Sequence, residues 1–352
     1  MIELDQLTLE EKIAQMLMIG FRGLSISSDA PIHSDIVERG IGGVVLFDQD
    51  VPSRSSIRNI ASPEQLKELT AYLQAIAKPP LLIAVDQEGG QVARLKPMHG
   101  FPHTVSHAQL GEHNCLTETK RQASLIAETL NQCGVNLNFA PCVDVNVNPF
   151  NPIIAKKERS FSHDPQRVVS HAIEFIKAHH AQCVLTTLKH FPGHGSSRDD
   201  SHHGFVDITT SWWPEEVLPY EKIIGLGLAD AIMTGHVFHA KLDEAYPATL
   251  SEKIISDKLR TDMGYSGVVF SDDLQMQAIS NVHGFENGIY RTIRAGVDIL
   301  LFGNNSEYDE QIADKAIKTV MRLFKVGHIS VDRIDQSVQR ILTLKSKLKK
   351  AP

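Results

Sequence analysis

Eight short, mostly apolar runs recur along the chain, separated by stretches whose apolar residues have helical spacing. The runs cover residues 16–21, 41–47, 81–86, 135–145, 184–190, 231–237, 267–272 and 298–303. Nearly continuous hydrophobicity is typical of parallel strands that are covered on both faces. The pattern therefore predicts eight parallel strands with helices between them.

The stretches between the runs begin with residues that cap helices. Ser62 and Asp164 are each followed by proline, which places an N-cap before the first helical position. Ser251 is predicted to begin a third helix that stops at Gly264. Two further segments have helical spacing: 307–326 and 331–349. Strands and helices thus alternate along the whole chain.

Eight strand–helix units favour an α/β fold, a single (β/α)8 TIM-type barrel. An open, doubly wound sheet is the alternative, but no glycine-rich nucleotide-binding loop follows any of the runs. No repeat or low-complexity linker divides the chain, so we expect residues 1–352 to form one catalytic barrel domain. Residues 96–112, which include Gly100 and Pro102, are predicted to be a long loop over one barrel unit.

Composition narrows the class of protein. The 352 residues carry a net charge of -7, and no basic cluster resembles a nucleic-acid-binding surface. No apolar run approaches the roughly 18 residues of a membrane span, and the charged N-terminal segment lacks the features of a secretory leader. The 4 cysteines have no metal-binding spacing and are predicted to be free thiols in a reducing compartment. We therefore expect a cytoplasmic protein that binds neither nucleic acid nor membrane.

Polar residues gather at the C-terminal ends of the predicted strands, where barrel enzymes place their active sites. Gathering charged groups in this way costs free energy unless the groups are paired with one another or bind a ligand. Asp273 taken alone is equally well explained as a capping residue. Five strand ends carry such groups: Asp86, Glu88 and Arg94; Asp144; Lys189 and His190; His236; Asp272 and Asp273. This coincidence predicts an active site at that end of the barrel.

The segment after the fifth run, 189–204, is rich in histidine and glycine. Gly193 and Gly195 allow a sharp turn or a close backbone approach. Asp200 and His202 are two residues apart, so in an extended segment they face the same way and the carboxylate can orient the imidazole. Such a pair suits proton transfer near neutral pH, although a lone pair of this kind also occurs in exposed polar loops.

Five segments carry a distinctive sequence: AVDQEGGQVARL at 84–95, DVNVNPFNPI at 144–153, RSFS at 159–162, KHFPGHG at 189–195 followed after four residues by DSH, and GVVFSDDLQM at 267–276. Taken together, these segments resemble family 3 glycoside hydrolases, specifically the bacterial β-N-acetylhexosaminidases. They follow in the family's order and span most of the chain.

The resemblance implies a retaining exo-β-N-acetylglucosaminidase that works through a covalent glycosyl–aspartate intermediate. Asp272 would be the nucleophile, and His202, oriented by Asp200, would be the general acid and base. The implied sugar-binding residues are Asp86, Arg94, Arg159, Lys189, His190 and His236. No metal or cofactor is implied, and no C-terminal sandwich domain is expected. The partner is a small GlcNAc-containing carbohydrate, and a monomer is the default expectation.

Three other functions are weighed against this one. A metal-dependent amidohydrolase barrel also has histidines after strands five and six, as His190 and His236 do, but the first run lacks the paired histidines of its metal site. A non-catalytic sugar-binding protein would have lost Asp200, His202 or Asp272, and all three are present. A phosphorylase of the same family stays open, because a histidine acid/base lets phosphate approach without carboxylate repulsion. The natural substrate also stays open, between muropeptides (GlcNAc-1,6-anhydroMurNAc) and chitooligosaccharides.

Overall fold

Eight parallel strands form a closed barrel in the computed structural model of the chain, which describes residues 3–201 and 204–348. The sheet order is β7-β6-β5-β4-β3-β2-β1-β8, and a parallel bridge between Phe270 and Ile299 joins β7 to β8. The strands are β1 (Leu17–Gly20), β2 (Gly43–Leu46), β3 (Leu82–Val85), β4 (Leu137–Asn138), β5 (Leu185–Phe191), β6 (Ala231–Thr234), β7 (Val268–Phe270) and β8 (Leu300–Phe302). Seven of the strands lie within one of the apolar runs and β5 extends one residue beyond its run, to Phe191, which confirms the predicted (β/α)8 architecture.

Helices cover the outside of the barrel. The α-helices are α1 (Leu9–Gln15), α2 (Pro31–Ser34), α3 (Pro63–Ile76), α4 (His107–His113), α5 (Leu116–Gln132), α6 (Pro165–Ala181), α7 (Leu218–Gly225), α8 (Gln277–His283), α9 (Phe285–Ala295), α10 (Ile312–Lys325) and α11 (Val331–Lys345). Two segments are π-helical, Asp35–Arg39 and Lys253–Asp262. Short 3₁₀ turns occur at Leu4–Gln6, Pro97–His99, Pro214–Val217 and Ala248–Leu250. Two small ribbons pair Gln87–Gly89 with Val92–Ala93 and Val206–Asp207 with Val237–Phe238.

The predicted caps begin the helices that follow them. The Ser62 hydroxyl accepts a hydrogen bond from the Gln65 backbone N–H at the start of α3, and the Asp164 carboxylate does the same for α6. The Ser251 hydroxyl accepts from the Ile254 N–H at 3.1 Å, and Gly264 has a left-handed backbone. The helix between these two residues has π geometry.

The prediction of a long loop over 96–112 is wrong at its C-terminal end, where α4 begins. The Ser106 hydroxyl accepts from the Gln109 N–H at 3.2 Å, and the Gln109 side chain accepts from the Ser106 N–H at 3.1 Å. This reciprocal capping box starts the helix, and its Ser-x-x-Gln signature is present in the sequence.

The strand residues belong to one continuous apolar core that fills the barrel and the space beneath the helices. The fourth run forms a strand of only two residues, because Pro141 has no N–H with which to continue the ladder. All four cysteines are free thiols, as predicted. Within the described part of the chain, no helix combines the length and apolar character that crossing a bilayer requires. The barrel thus directs the ends of β3 to β7 towards one opening.

Candidate active site

A network of ion pairs joins four of the six predicted sugar-binding residues. Lys189 Nζ lies 2.7 Å from Asp86 Oδ1 and 2.7 Å from Glu88 Oε1. Arg94 Nη2 lies 3.3 Å from Asp86 Oδ2. Arg159 donates to both Glu88 oxygens, at 2.8 and 2.9 Å. Asp86, Arg94, Arg159 and Lys189 therefore meet at one place, and Glu88 connects them.

The carboxylates of this network are ionised at neutral pH. Burial opposes ionisation of Asp86, but Lys189 and Arg94 outweigh it and hold the pKa of Asp86 well below its usual range. Burial likewise opposes ionisation of Glu88, whose pKa is lowered by Arg159 and Lys189. Glu88 is buried beneath the network, whereas Asp86 and Arg94 are partly exposed. The exposed members are the ones placed to meet a ligand.

His190 is fixed by two charged neighbours. Its Nδ1–H donates to Asp144 Oδ2 at 2.7 Å, and its Nε2 lies 3.2 Å from Arg159 Nη2 and accepts from it. Asp144 also accepts from the backbone N–H of His194 at 2.8 Å. Burial opposes ionisation of Asp144, but His190 outweighs it and the pKa of Asp144 falls to about 2. His190 thus joins Asp144 to the Arg159–Glu88 pair.

Cys142, Asp144 and His190 are the one group in residues 3–201 and 204–348 with donor atoms close enough to hold a metal ion. Its chemistry fits a hydrogen-bond network better. The Cys142 thiol donates to Asp144 Oδ2 at 3.2 Å, and burial raises the pKa of this thiol well above its usual value. A metal would need the thiolate, and it would have to lie beside the Arg159 cation.

The turn after β7 carries Asp272 and is bonded to β8 on both sides of it. The Ser271 hydroxyl accepts from the Leu301 N–H at 2.9 Å, and Asp273 Oδ1 accepts from the Gly303 N–H at 3.1 Å. Between them, Asp272 is partly buried, and its Oδ1 accepts from the Asp273 N–H at 2.8 Å. The barrel wall therefore fixes the position of the Asp272 carboxylate.

His236 supports this turn from β6. Its Nε2–H donates to the Asp273 carbonyl at 2.9 Å, and its Nδ1 lies 2.8 Å from Thr249 Oγ1. A Cβ built on the preceding residue, Gly235, would lie 3.2 Å from His190 Cβ. A chain of contacts thus links the Asp272 turn to His190 and the ion-pair network.

Gly193 and Gly195 occupy positions in this loop that favour or require glycine. Gly193 has a left-handed φ of +123°, which favours glycine. A Cβ on Gly195 would lie 1.6 Å from the Val145 carbonyl oxygen, so the two backbones could not approach as they do. The predicted turn and close approach are therefore present.

Buried polar side chains hold the loop that follows. Asn151 Nδ2 donates to the His194 carbonyl at 2.8 Å and lies 2.9 Å from Ser197 Oγ. The His194 ring lies between two hydroxyls, Ser197 Oγ at 2.8 Å and Ser201 Oγ at 3.2 Å. Asp200 is half-buried beside this anchored stretch, while His202 lies outside the described residues. The Asp200–His202 pairing stays a prediction.

The model for the glycosyl hydrolase family 3 N-terminal domain matches residues 8–344. The chain belongs to glycosyl hydrolase family 3.

Two relatives of this family 3 chain are both named as β-hexosaminidases. It is 32% identical to β-hexosaminidase A of Pseudoalteromonas piscicida, over 97% of this chain and 62% of that protein. It is 35% identical to a β-hexosaminidase of Xanthomonas euvesicatoria, over 81% of this chain and 83% of that protein. The chain therefore spans about three fifths of the first of these relatives and most of the second.

Two solved structures have the same fold as this chain. A β-N-acetylglucosaminidase from Paenibacillus sp. superposes with a TM-score of 0.87 at 36% identity, over 97% of this chain and 62% of that one. A β-N-acetylhexosaminidase from Beutenbergia cavernae superposes with a TM-score of 0.85 at 27% identity, over 97% of this chain and 99% of that one.

The sequence assigns no individual role to four residues that hold this site together: Glu88, Asp144, Asn151 and His194. Glu88 follows one apolar run and Asp144 lies near the end of another, so the sequence predicts their position at the mouth. It does not predict their partners, because Glu88 pairs with Arg159, 71 residues away, and Asp144 pairs with His190, 46 residues away. Asn151 and His194 lie inside the segments that resemble the family, and this position is the one feature of the sequence that points to them.

Three buried histidines of the family 3 barrel are held neutral. His107 Nδ1–H donates to the Arg159 carbonyl, and His179 Nδ1–H donates to the Phe175 carbonyl, each at 2.9 Å. Burial lowers the pKa of His107, His179 and His194 to about 4 in each case. In the unfolded chain a histidine titrates near 6.5. Their contribution to stability is therefore present above pH 6.5 and is lost as the pH falls towards 4.

We expect the His179→Gln substitution to reveal this linkage. At pH 7.5 the free energy of unfolding of the variant should be lower than that of the parent. At pH 5 this difference should be smaller by about 2 kcal/mol, because only the parent must keep a buried imidazole neutral. Urea unfolding at both pH values measures it. His103→Gln, at an exposed position, is the control and should show a constant difference. A constant difference for His179→Gln would contradict the expectation.

Proposed function

We propose that this chain is a retaining exo-β-N-acetylglucosaminidase that removes GlcNAc from the non-reducing end of its substrate. One observation carries the proposal: a carboxylate on a fixed turn, Asp272, shares the barrel mouth with a network of ion pairs whose partly exposed members can bind a sugar. The β-hexosaminidase relatives supply the sugar class.

The proposed reaction has two steps. Asp272 attacks the anomeric carbon and forms a glycosyl ester, while His202 gives its proton to the departing glycosidic oxygen. Water then attacks the same carbon, His202 takes the water's proton, and Asp272 leaves as a carboxylate. Asp200 orients His202. An imidazole acid also avoids the repulsion that a second carboxylate beside Asp272 would suffer.

The proposed binding roles follow from the contacts. The Asp86 carboxylate accepts hydrogen bonds from sugar hydroxyls, and Arg94 and Lys189 donate to them. Arg159 and His190, which like Lys189 are buried, complete the wall of the sugar site. His236 acts through the backbone of the Asp272 turn, which it holds in place.

For the natural substrate we propose muropeptides carrying GlcNAc-1,6-anhydroMurNAc, with chitooligosaccharides as the second candidate. A monomeric, cytoplasmic enzyme with one catalytic domain is part of the same proposal. Rates on the two substrates at equal concentration decide between them. Added phosphate distinguishes a hydrolase from a phosphorylase, since only the latter releases GlcNAc 1-phosphate.

We expect the purified protein to hydrolyse aryl β-GlcNAc at the same rate with and without a chelator, because the described residues offer a metal only a protonated, hydrogen-bonded donor set. Aryl β-glucoside, which lacks the acetamido group, should react far more slowly. Activity that a chelator abolishes and zinc restores would overturn the metal-independent mechanism.

A further inference from the structure

Glu216 is a fully buried carboxyl group that the proposed mechanism does not use. It lies in the 3₁₀ turn Pro214–Val217, just before α7. Its Oε1 accepts from the Trp213 N–H at 3.1 Å, which is the bond of an ordinary cap. Its Oε2 accepts from the Ser196 N–H at 3.3 Å, twenty residues away. Burial raises the pKa of Glu216 to about 7, so the fold keeps this carboxyl buried at an energetic cost.

The segment around Glu216 packs closely against the start of the Asp200–His202 loop. A Cβ on Gly193 would lie 2.7 Å from Glu216 Cβ, so only glycine permits this approach. The Trp212 indole N–H donates to the Pro192 carbonyl at 3.2 Å. Residues 192–196 are therefore held by Trp212 and Glu216 on one side and by Asn151 on the other.

We propose that Glu216 is a positioning residue for the loop that carries Asp200 and His202. By holding Gly193 and Ser196, it sets the path along which the chain continues to Asp200 and His202, and so the distance from His202 to the glycosidic oxygen. The inference rests on the proposed role of His202. Misplacing a catalytic group by about 1 Å can slow a reaction about 10²-fold, so a contact behind the loop can control the rate.

Two variants test the role, Glu216→Gln and Glu216→Leu. Glutamine keeps the shape of the side chain but offers one acceptor instead of two, and leucine offers none. The measured quantity is kcat/KM on an activated aryl β-GlcNAc and on chitobiose, whose leaving group needs protonation. We expect Glu216→Leu to lose about tenfold or more on chitobiose and about threefold or less on the aryl substrate. Glu216→Gln should fall between Glu216→Leu and the parent.

Glu11→Gln is the matched control. Glu11 also closes a cap, accepting from the Thr8 N–H at 2.8 Å at the start of α1, but it touches no part of the loop. This variant should keep both rates. Equal losses on the two substrates for either Glu216 variant, or no loss, would refute the positioning role. If Glu216→Leu does not fold, the near-isosteric Glu216→Gln decides.

His202→Ala, assayed in parallel, separates the two possible failures. If it shows no dependence on the leaving group, the proposed acid/base function is wrong. If it shows that dependence and the folded Glu216 variants do not, only the positioning role of Glu216 is wrong.

Discussion

Replacing Asp272 by alanine is expected to remove turnover almost completely, lowering kcat on the order of 10⁴-fold or more. The carboxylate forms the glycosyl ester, and no other group on the turn can take its place. Asp273 Oδ1 accepts hydrogen bonds from the backbone N–H groups of Gly303 and Gln275. Steady-state assays on aryl β-GlcNAc, with a melting curve for each variant, measure the loss.

Asp273→Asn is the control for Asp272→Ala. Asparagine keeps an oxygen acceptor for the two backbone N–H groups, so the turn and most of the activity should survive, within about tenfold. Added azide should partly restore turnover in Asp272→Ala and give a glycosyl azide of the α configuration, because azide enters the face that the aspartate vacates. Comparable losses in the two variants would show that Asp272 has no special part in the chemistry.

Replacing His202 by alanine should slow poor leaving groups far more than activated ones. General acid catalysis contributes about 10²–10⁴-fold, so kcat/KM on chitobiose should fall by that factor. A nitrophenyl leaving group needs little protonation, so kcat/KM on the aryl substrate should change much less. A series of aryl β-GlcNAc substrates with rising phenol pKa measures the effect as a steeper slope.

Asp200→Asn should act in the same direction as His202→Ala but more weakly, because Asp200 orients and polarises the ring without giving a proton. An equal loss on good and poor leaving groups in His202→Ala would remove His202 from the acid role.

The barrel could be predicted because each strand has the same environment. A parallel strand covered on both faces must be apolar along nearly its whole length, so runs such as 81–86 and 267–272 marked β3 and β7. The ends of the runs then placed Asp86 and Asp272 at one opening. The sequence does not predict the start of α4, because Gly100 and Pro102 indicate a loop and the Ser106–Gln109 capping box lies just beyond them.

The pairing of residues within the site could not be predicted from the pattern. The Lys189–Asp86 contact spans 103 residues, and it joins the end of β3 to a residue within β5, with β4 between the two strands. The same holds for Glu216, whose partner Ser196 lies twenty residues earlier in the long connection between β5 and α7. Sequence spacing shows which residues reach the mouth, whereas burial and charge balance decide which of them pair.

Covalent trapping tests the proposed mechanism most directly. A fluorinated GlcNAc donor with a good leaving group slows hydrolysis of the glycosyl ester, so the intermediate accumulates and mass spectrometry of its peptides locates the sugar. We predict a label on Asp272 in the segment 267–276. A label on Asp273, or inactivation without any label on the protein, would contradict the mechanism.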